Sequence, residues 1–329
     1  MIRIVTLLLL AILLLPAPPP GKPIYIRPGP LLVTPRPLPL SDDPDVKTVG
    51  ALSFRGAWAL TSVHPGFGGI SALLVTPPGQ VLALNDSGVL MGFHVGKGMP
   101  SRRSFIAPLP LREGERGDDW RYRDSEAMTH DPETDRYWVG FELQQMICRY
   151  GPGFVRVEAC RVWPQIMAWP KTGSIESLAC LPDGRFLAIA EMGMTRQGEH
   201  EALLFAGDPA AEETPAPVLL RYVAPRGYRP TDAVALDDHR VIVLHRRLTL
   251  MDLFTATVAV VDLPDAPRSG ALLKPRLLGR LAPPLLADNF EGLSITREAD
   301  ETLLWIVSDD NHEAFQRTLL LKFALPKEL

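Results

Sequence analysis

A two-strand unit that recurs five times constrains this chain more than any other feature. Asp288-Asn289-Phe290-Glu291-Gly292-Leu293-Ser294-Ile295 leads through a polar turn to Leu303-Leu304-Trp305-Ile306-Val307-Ser308-Asp309-Asp310. An acid enters the first strand and another leaves the second. Ser125-Glu126-Ala127-Met128 leads likewise to Tyr137–Glu142, and Ile175-Glu176-Ser177-Leu178 leads to Arg185–Glu191. Thr231-Asp232-Ala233-Val234 leads to Val241–His245, and Ile70-Ser71-Ala72-Leu73 leads to Val81–Asp86. With Ser71, Glu126, Glu176, Asp232 and Glu291 taken as equivalent, the steps are 55, 50, 56 and 59 residues. Self-similarity near a period of roughly 40 to 50 residues marks a four-stranded propeller blade.

Four strands are expected in each of the first four repeats and three in the last. The strand left over at the start, Leu52–Leu60, then supplies the missing outer member beside Thr318–Phe323. Closing the ring this way removes open sheet edges. Turn residues such as Pro77-Pro78-Gly79 and Pro182-Asp183-Gly184 sit between first and second strands. The expected fold is therefore all-β, a five-bladed β-propeller. A six-bladed ring, the alternative, would need a further repeat.

The chain has 329 residues, enough for one large β domain. Three regions are expected: residues 1–20 as a signal peptide or N-terminal anchor, 21–49 as a Pro-rich tether, and 50–329 as the propeller. Arg3 precedes the apolar run Ile4–Leu15, which is short for a membrane span and fits an export signal. Residues 16–48 hold eleven of the 33 prolines and no sustained apolar period. Export to the periplasm or outside the cell follows as the expectation, with membrane attachment only through an uncleaved N-terminus. Cys148, Cys160 and Cys180 are read as buried thiols, a Cys148–Cys160 bridge being the alternative. A net charge of -4 argues against nucleic acid as a partner.

In an antiparallel hairpin the start of one strand lies beside the end of the next. The entry row (Ser71, Glu126, Glu176, Asp232, Glu291) and the exit row (Asp86, Glu142, Glu191, His245, Asp309) are thus expected around one mouth of the central channel. Two unit charges about 4 Å apart repel by roughly 4 kcal/mol at an effective dielectric near 20. Relief requires a cation, raised pKa values or basic partners. Asp86, Glu126, Glu142, Glu176, Glu191, Asp232, Glu291 and Asp309 form the expected oxygen-rich metal set, suited to Ca²⁺. The competing reading has individual acids capping strands or pairing with Arg121, Arg123, Arg196 and Arg246. His245 and His312, with Asp309, are the candidate catalytic residues. Arg246 and Arg247 are the candidate substrate-binding pair, because planar guanidinium suits a phosphate or other anion. Trp58, Trp138, Trp169 and Trp305 are read as blade packing.

Several segments together resemble the phytase-like propeller family, described by an esterase-like activity of phytase. They are Gly56–Leu60, Phe67–Leu73, Asn85–Gly88, Asp124–Ala127, Ser174–Leu178, Asn289–Leu293 and Ser308–Asp310. The resemblance implies an exported β-propeller and a broadly defined hydrolase. It departs at His245 and Ser71, and it does not carry the alkaline phytase signature, so phytate does not follow as substrate. The resulting expectation is an esterase or phosphoesterase acting on a small molecule at a Ca²⁺-binding mouth, as a monomer. The alternative is a non-catalytic propeller that binds a ligand or protein there. No Gly-x-Ser-x-Gly elbow, Cys-x-x-Cys pair or Gly-rich phosphate loop offers a different chemistry.

Overall fold

In each repeat, alternating apolar residues give strands whose two faces both pack, because every blade is sandwiched between two others. The computed structural model describes residues 26–96, 104–115 and 122–329, and it forms five separate sheets. Blade one is Ile70–Thr76, Gln80–Asn85, Val89–His94 and Phe105–Pro108. Blade two is Ser125–Asp131, Arg136–Phe141, Met146–Tyr150 and Val157–Val162. Blade three is Ile175–Cys180, Phe186–Met194, His200–Phe205 and Val218–Tyr222. Blade four is Arg229–Ala235, Arg240–Thr249, Leu253–Asp262 and Arg276–Leu281. Blade five is Phe290–Glu298, Glu301–Ser308, Leu319–Ala324 and, from the start of the chain, Leu52–Thr61.

The first strands of the blades touch one another in chain order, and the fifth touches the first, so the ring is closed with five blades. Closure is made by antiparallel pairing of Leu52–Thr61 with Leu319–Ala324, as expected. Apolar clusters fill the spaces between blades. Leu84 and Val139 meet between blades one and two, Trp138 and Phe186 between two and three, Ile189 and Val243 between three and four. Leu244 and Ile306 meet between four and five, and Phe93 and Val307 between five and one. The tryptophans are packing residues: Trp58 and Trp305 stack at 6.1 Å, and Trp138 and Trp169 are buried.

Two expectations are corrected. Residues from Ile26 onward in the expected tether lie on the propeller. Thr34–Pro37 pairs with Leu52–Thr61 as an additional outer strand, and Leu31 and Leu40 are buried. Proline suits this edge because the outward N–H has no partner to lose. Second, Cys148 and Cys160 face each other across neighbouring strands and form a disulfide, leaving Cys180 free. In addition, Ala271–Leu273 leaves blade four and adds a parallel fifth strand to blade three. The expected signal segment at 1–20 and Arg121 lie outside the described residues, among which no helix is long and apolar enough to cross a membrane.

Candidate functional site: an acidic mouth built on five bulges

Every blade carries the same irregularity. The pairing of its first and second strands skips one residue on the first strand. The skipped residues are Ser71, Glu126, Glu176, Thr231 and Glu291. A bulge leaves the extra residue out of the ladder and re-aims its side chain. The recurrent period is therefore the period of a bulge, placed where the inner strand enters the channel wall.

The bulges align the blades and correct the register of blade four. Thr231, not Asp232, is the ring residue there. Opposite the residue before each bulge stand Asn85, Phe141, Ala190, His245 and Ser308. The exit row is therefore Asp86, Glu142, Glu191, Arg246 and Asp309. In four blades the exit residue's N–H donates to the carbonyl two residues before the bulge, as Glu142 does to Asp124 at 2.9 Å and Asp309 to Asn289 at 2.9 Å. In blade four Arg246 pairs with Arg229 in that same place. An arginine thus occupies a position that is acidic in the other blades.

Asp232 and His245 leave the mouth as a consequence. The Asp232 carboxylate is buried and accepts N–H bonds from Leu293 at 2.6 Å and Ala233 at 2.7 Å, so it joins blade four to blade five. His245 is wholly buried in the blade. Its Nδ1 donates to the Thr257 carbonyl at 3.2 Å, and its Nε2 accepts from the Tyr222 hydroxyl at 2.6 Å. Burial pushes its pKa down to about 3, so it is neutral. It sits inside the blade wall as a bridge to blade three, one residue short of the mouth.

The remaining expected acids do converge, and Asp124 joins them. Asp124, Glu126 and Glu142 present carboxylate oxygens within 4.8 Å of one another. Burial raises Glu126 well above the usual range, and the negative charges of Glu176, Glu291, Asp124 and Asp86 add to it. Glu176 is raised by burial and by Glu191, with Arg246 opposing. Burial lifts Asp309 to about 8, with repulsion from Glu291, and lifts Asp124 to about 6. Glu142 reaches about 7 through burial, although its Oε1 accepts N–H bonds from Gly173 and Ser174. Mutual repulsion on this scale means that Asp86, Asp124, Glu126, Glu142, Glu176, Glu191, Glu291 and Asp309 share one enclosure.

Arg246 is the internal counter-charge. Its guanidinium bonds Glu291, Glu191 at 3.1 Å and the Asn289 side-chain oxygen at 2.7 Å. Asn289 in turn donates to Glu291 at 2.8 Å and to Asp309 at 3.3 Å. These partners satisfy one side of the mouth. On the other side, among the described residues, no donor reaches the carboxylates of Glu126 or Glu176. Arg247 turns away, bonding Asp252 at 3.1 Å and lying over the Tyr228 ring. His312 is exposed at the edge, beside Gly69 and Asp86. Asp310 accepts from the Gly69 N–H at 2.9 Å and from Thr318 at 2.7 Å, tying blade five to blade one. Gly68 and Gly69 have positive φ, and a Cβ on Gly68 would lie 2.7 Å from the Asp310 carboxylate.

The model of a family described as phytase-like, esterase-like activity of phytase, matches residues 65–312, which contain all five bulges. The chain belongs to the phytase-like family. No curated protein is similar to this phytase-like chain by sequence. Among solved structures it is similar to the major Malassezia sympodialis allergen Mala s 1, at 13% identity over 83% of this chain and 88% of that one, with a TM-score of 0.45. Kuenenia stuttgartiensis hydrazine synthase is matched at 11% identity and a TM-score of 0.40, over 73% of this chain and 65% of that one, just under two thirds of its length. A calcium structure of a Trichoderma reesei protein from carbohydrate-active enzyme family AA12 is matched at 10% identity, over 83% and 97%, with a TM-score of 0.38.

Proposed function

We propose that this phytase-like propeller is an exported hydrolase of small carboxyl or phosphate esters, working at the acidic mouth with a divalent cation, Ca²⁺ by preference. The observation that carries the reading is the unequal satisfaction of the mouth. Arg246 and Asn289 engage Glu191, Glu291 and Asp309, while Glu126 and Glu176 have no donor among the described residues. The donor set fits a hard cation, being all carboxylate oxygen, with Asp124, Glu126 and Glu142 close enough to share one ion. When bound, such an ion would polarise the ester oxygen and acidify a water.

The chain's own groups supply the rest. Arg246, anchored on one side by Glu191 and Glu291, can orient an anionic ester group with its remaining N–H donors. Asp309, outside the trio of Asp124, Glu126 and Glu142, is lifted to about 8 by burial and so has the affinity for a proton that a general base needs. His312 at the edge can serve a leaving group.

A binding module without turnover is the second reading. It is favoured by the withdrawal of His245 into the blade, which leaves no histidine among the ring and exit residues of the mouth. Aryl acetate and aryl phosphate hydrolysis should be compared for wild type, Glu126→Gln and Glu142→Gln, with Ca²⁺ and with chelator. Turnover that needs Ca²⁺ and is lost in both variants supports the hydrolase. Ca²⁺ binding by calorimetry without turnover of any ester supports the module.

A further inference from the structure

The second hairpin of blade four is longer than its sheet. Arg240–Thr249 and Leu253–Asp262 stay paired out to Thr249 opposite Leu253. The inner strand, however, starts at Arg229 opposite Arg246, and the outer strand ends at Leu281 opposite Ala256. The turn from Leu248 to Leu253 therefore stands clear of the blade at the mouth end. This free part carries Leu248, Leu250, Met251 and Leu253, with Leu250 99% and Met251 95% exposed. Water-soluble surfaces rarely present a contiguous apolar tip of this kind without a partner for it.

The tip is braced upright. Tyr228 accepts hydrogen bonds from Thr255 and from Arg280, both at 3.0 Å, and its ring lies under Arg247. Arg247 also holds Asp252 at the turn. The neighbouring long hairpin of blade three brings exposed Met192 and Met194 to the same end. Exposed Arg196 and Arg226 flank the two hairpins, and Arg229, 3.8 Å from Glu191, lies beside them. Apolar side chains projecting among cations are the chemistry of contact with an anionic lipid surface.

The chain's own path points the same way. Gly29 pairs with Ile106 in the outer strand of blade one, and Leu31 follows opposite Ser104. That outer strand has its Pro108 end at the mouth, opposite Val89. The backbone therefore enters the fold at the mouth end, where Ile26 packs against Gly66. The apolar run Ile4–Leu15 precedes Ile26 by only residues 16–25 in sequence. An extended chain of that length reaches no more than about 35 Å.

We infer that the mouth face docks on a lipid bilayer, with the Leu250-Met251 tip seated in its interface and the flanking arginines against lipid phosphates. The acidic opening then faces the membrane surface. This docking does not depend on what the mouth does chemically, so its test and the ester assays can fail separately.

The test uses the full chain with Met251→Cys carrying an environment-sensitive fluorophore. Cys148 and Cys160 are bonded to each other, and burial pushes the Cys180 thiol up to about 12, so labelling falls on the new thiol. Glu133→Cys, in an exposed turn at the opposite end, is the control. With vesicles of phosphatidylcholine containing phosphatidylglycerol, the label at 251 should shift to the blue and be quenched by lipid-chain quenchers. The label at 133 should stay as in water. Leu250→Asp, added to the Met251→Cys protein, should remove the shift without lowering the melting temperature. If the chain sediments with vesicles while the label at 251 remains in water, the N-terminal segment alone holds the membrane and the inference is overturned. Equal shifts at both positions, or a shift at 251 that needs an added protein partner, overturn it as well.

Discussion

Ser71 and Thr231 make the same bond in different blades. The hydroxyl of each donates to the carbonyl just before the next blade's ring glutamate, Ser71 to Ser125 at 2.8 Å and Thr231 to Phe290 at 3.3 Å. The five-membered ring thus holds three glutamates and two hydroxyls. The hydroxyls join blades, so among the five ring residues only Glu126, Glu176 and Glu291 carry a carboxylate.

The mouth makes stability fall as pH rises in the absence of cation. Glu126, Glu176, Glu142, Asp124 and Asp309 all have folded pKa values above their ordinary ones. At these five groups the folded chain therefore holds more protons than the unfolded chain between about pH 4 and pH 8, and raising pH through that window costs stability at the mouth. Chelator-treated protein should lose several kcal/mol, on the order of 5, between pH 5 and pH 8 from these groups. Thermal melts at several pH values check this, with Glu126→Gln/Asp309→Asn flattening the loss. Millimolar Ca²⁺ should raise the melting temperature more at pH 8 than at pH 5. A melting temperature that climbs with pH in chelator, unchanged by the double substitution, would contradict the account.

Arg246→Gln should destabilise by about 2–4 kcal/mol, because it strips Glu191 and Glu291 of their common partner in a half-closed site. Adding Glu291→Gln should restore part of the loss. A double-mutant cycle by denaturant titration measures the coupling, which should exceed about 1 kcal/mol. Additive effects would mean that the pair is screened.

His245→Ala should lower stability by about 2–4 kcal/mol through the cavity and the stranded Tyr222 hydroxyl. Its effect on Ca²⁺ affinity should be negligible, since the imidazole lies inside the blade. Tyr222→Phe should cost about 1 kcal/mol. Denaturant unfolding paired with calcium calorimetry separates the two quantities, and a large loss of affinity in folded His245→Ala would return this residue to the mouth.

Ring closure should divide N-terminal truncations into two classes. A chain starting at Thr48 loses the Thr34–Pro37 strand and the buried Leu31 and Leu40, so it should fold with a lowered melting temperature. A chain starting at Val63 loses Leu52–Thr61, the outer strand of blade five, and should not give a cooperative transition. Differential scanning calorimetry reads both. A cooperative melt from the shorter chain would mean that the ring closes without this strand.

Blade number and closure were legible from the chain because a repeat of alternating apolar residues states how many sheets form. A first strand lacking its fifth-blade partner states who must supply it. The convergence of Glu126, Glu176, Glu291, Asp86 and Asp309 followed from hairpin geometry alone. Membership in blade four did not. Thr231 and Asp232 are adjacent, as are His245 and Arg246, and a slip of one residue moves a side chain to the opposite face. Which of each pair faces the channel depends on where the ladder skips a residue. Blade four runs Arg229-Pro230-Thr231-Asp232 through its bulge where blade five runs Asn289-Phe290-Glu291-Gly292. An acid one place late therefore read as the ring residue.

Asp124, the Cys148–Cys160 bond and the packed segment from Ile26 to Val49 were beyond local pattern for a related reason. Each depends on a neighbour set by tertiary structure: Glu142 across the hairpin, Cys160 on the adjoining strand, and the outer edge of blade five. The sequence by itself determined the periodic strands and hence the propeller, because alternation and repeat length are properties of consecutive residues. Only the tertiary structure decided which acids share the mouth and that Arg246 sits among them, because one skipped residue in each ladder selects the side chain that faces the channel.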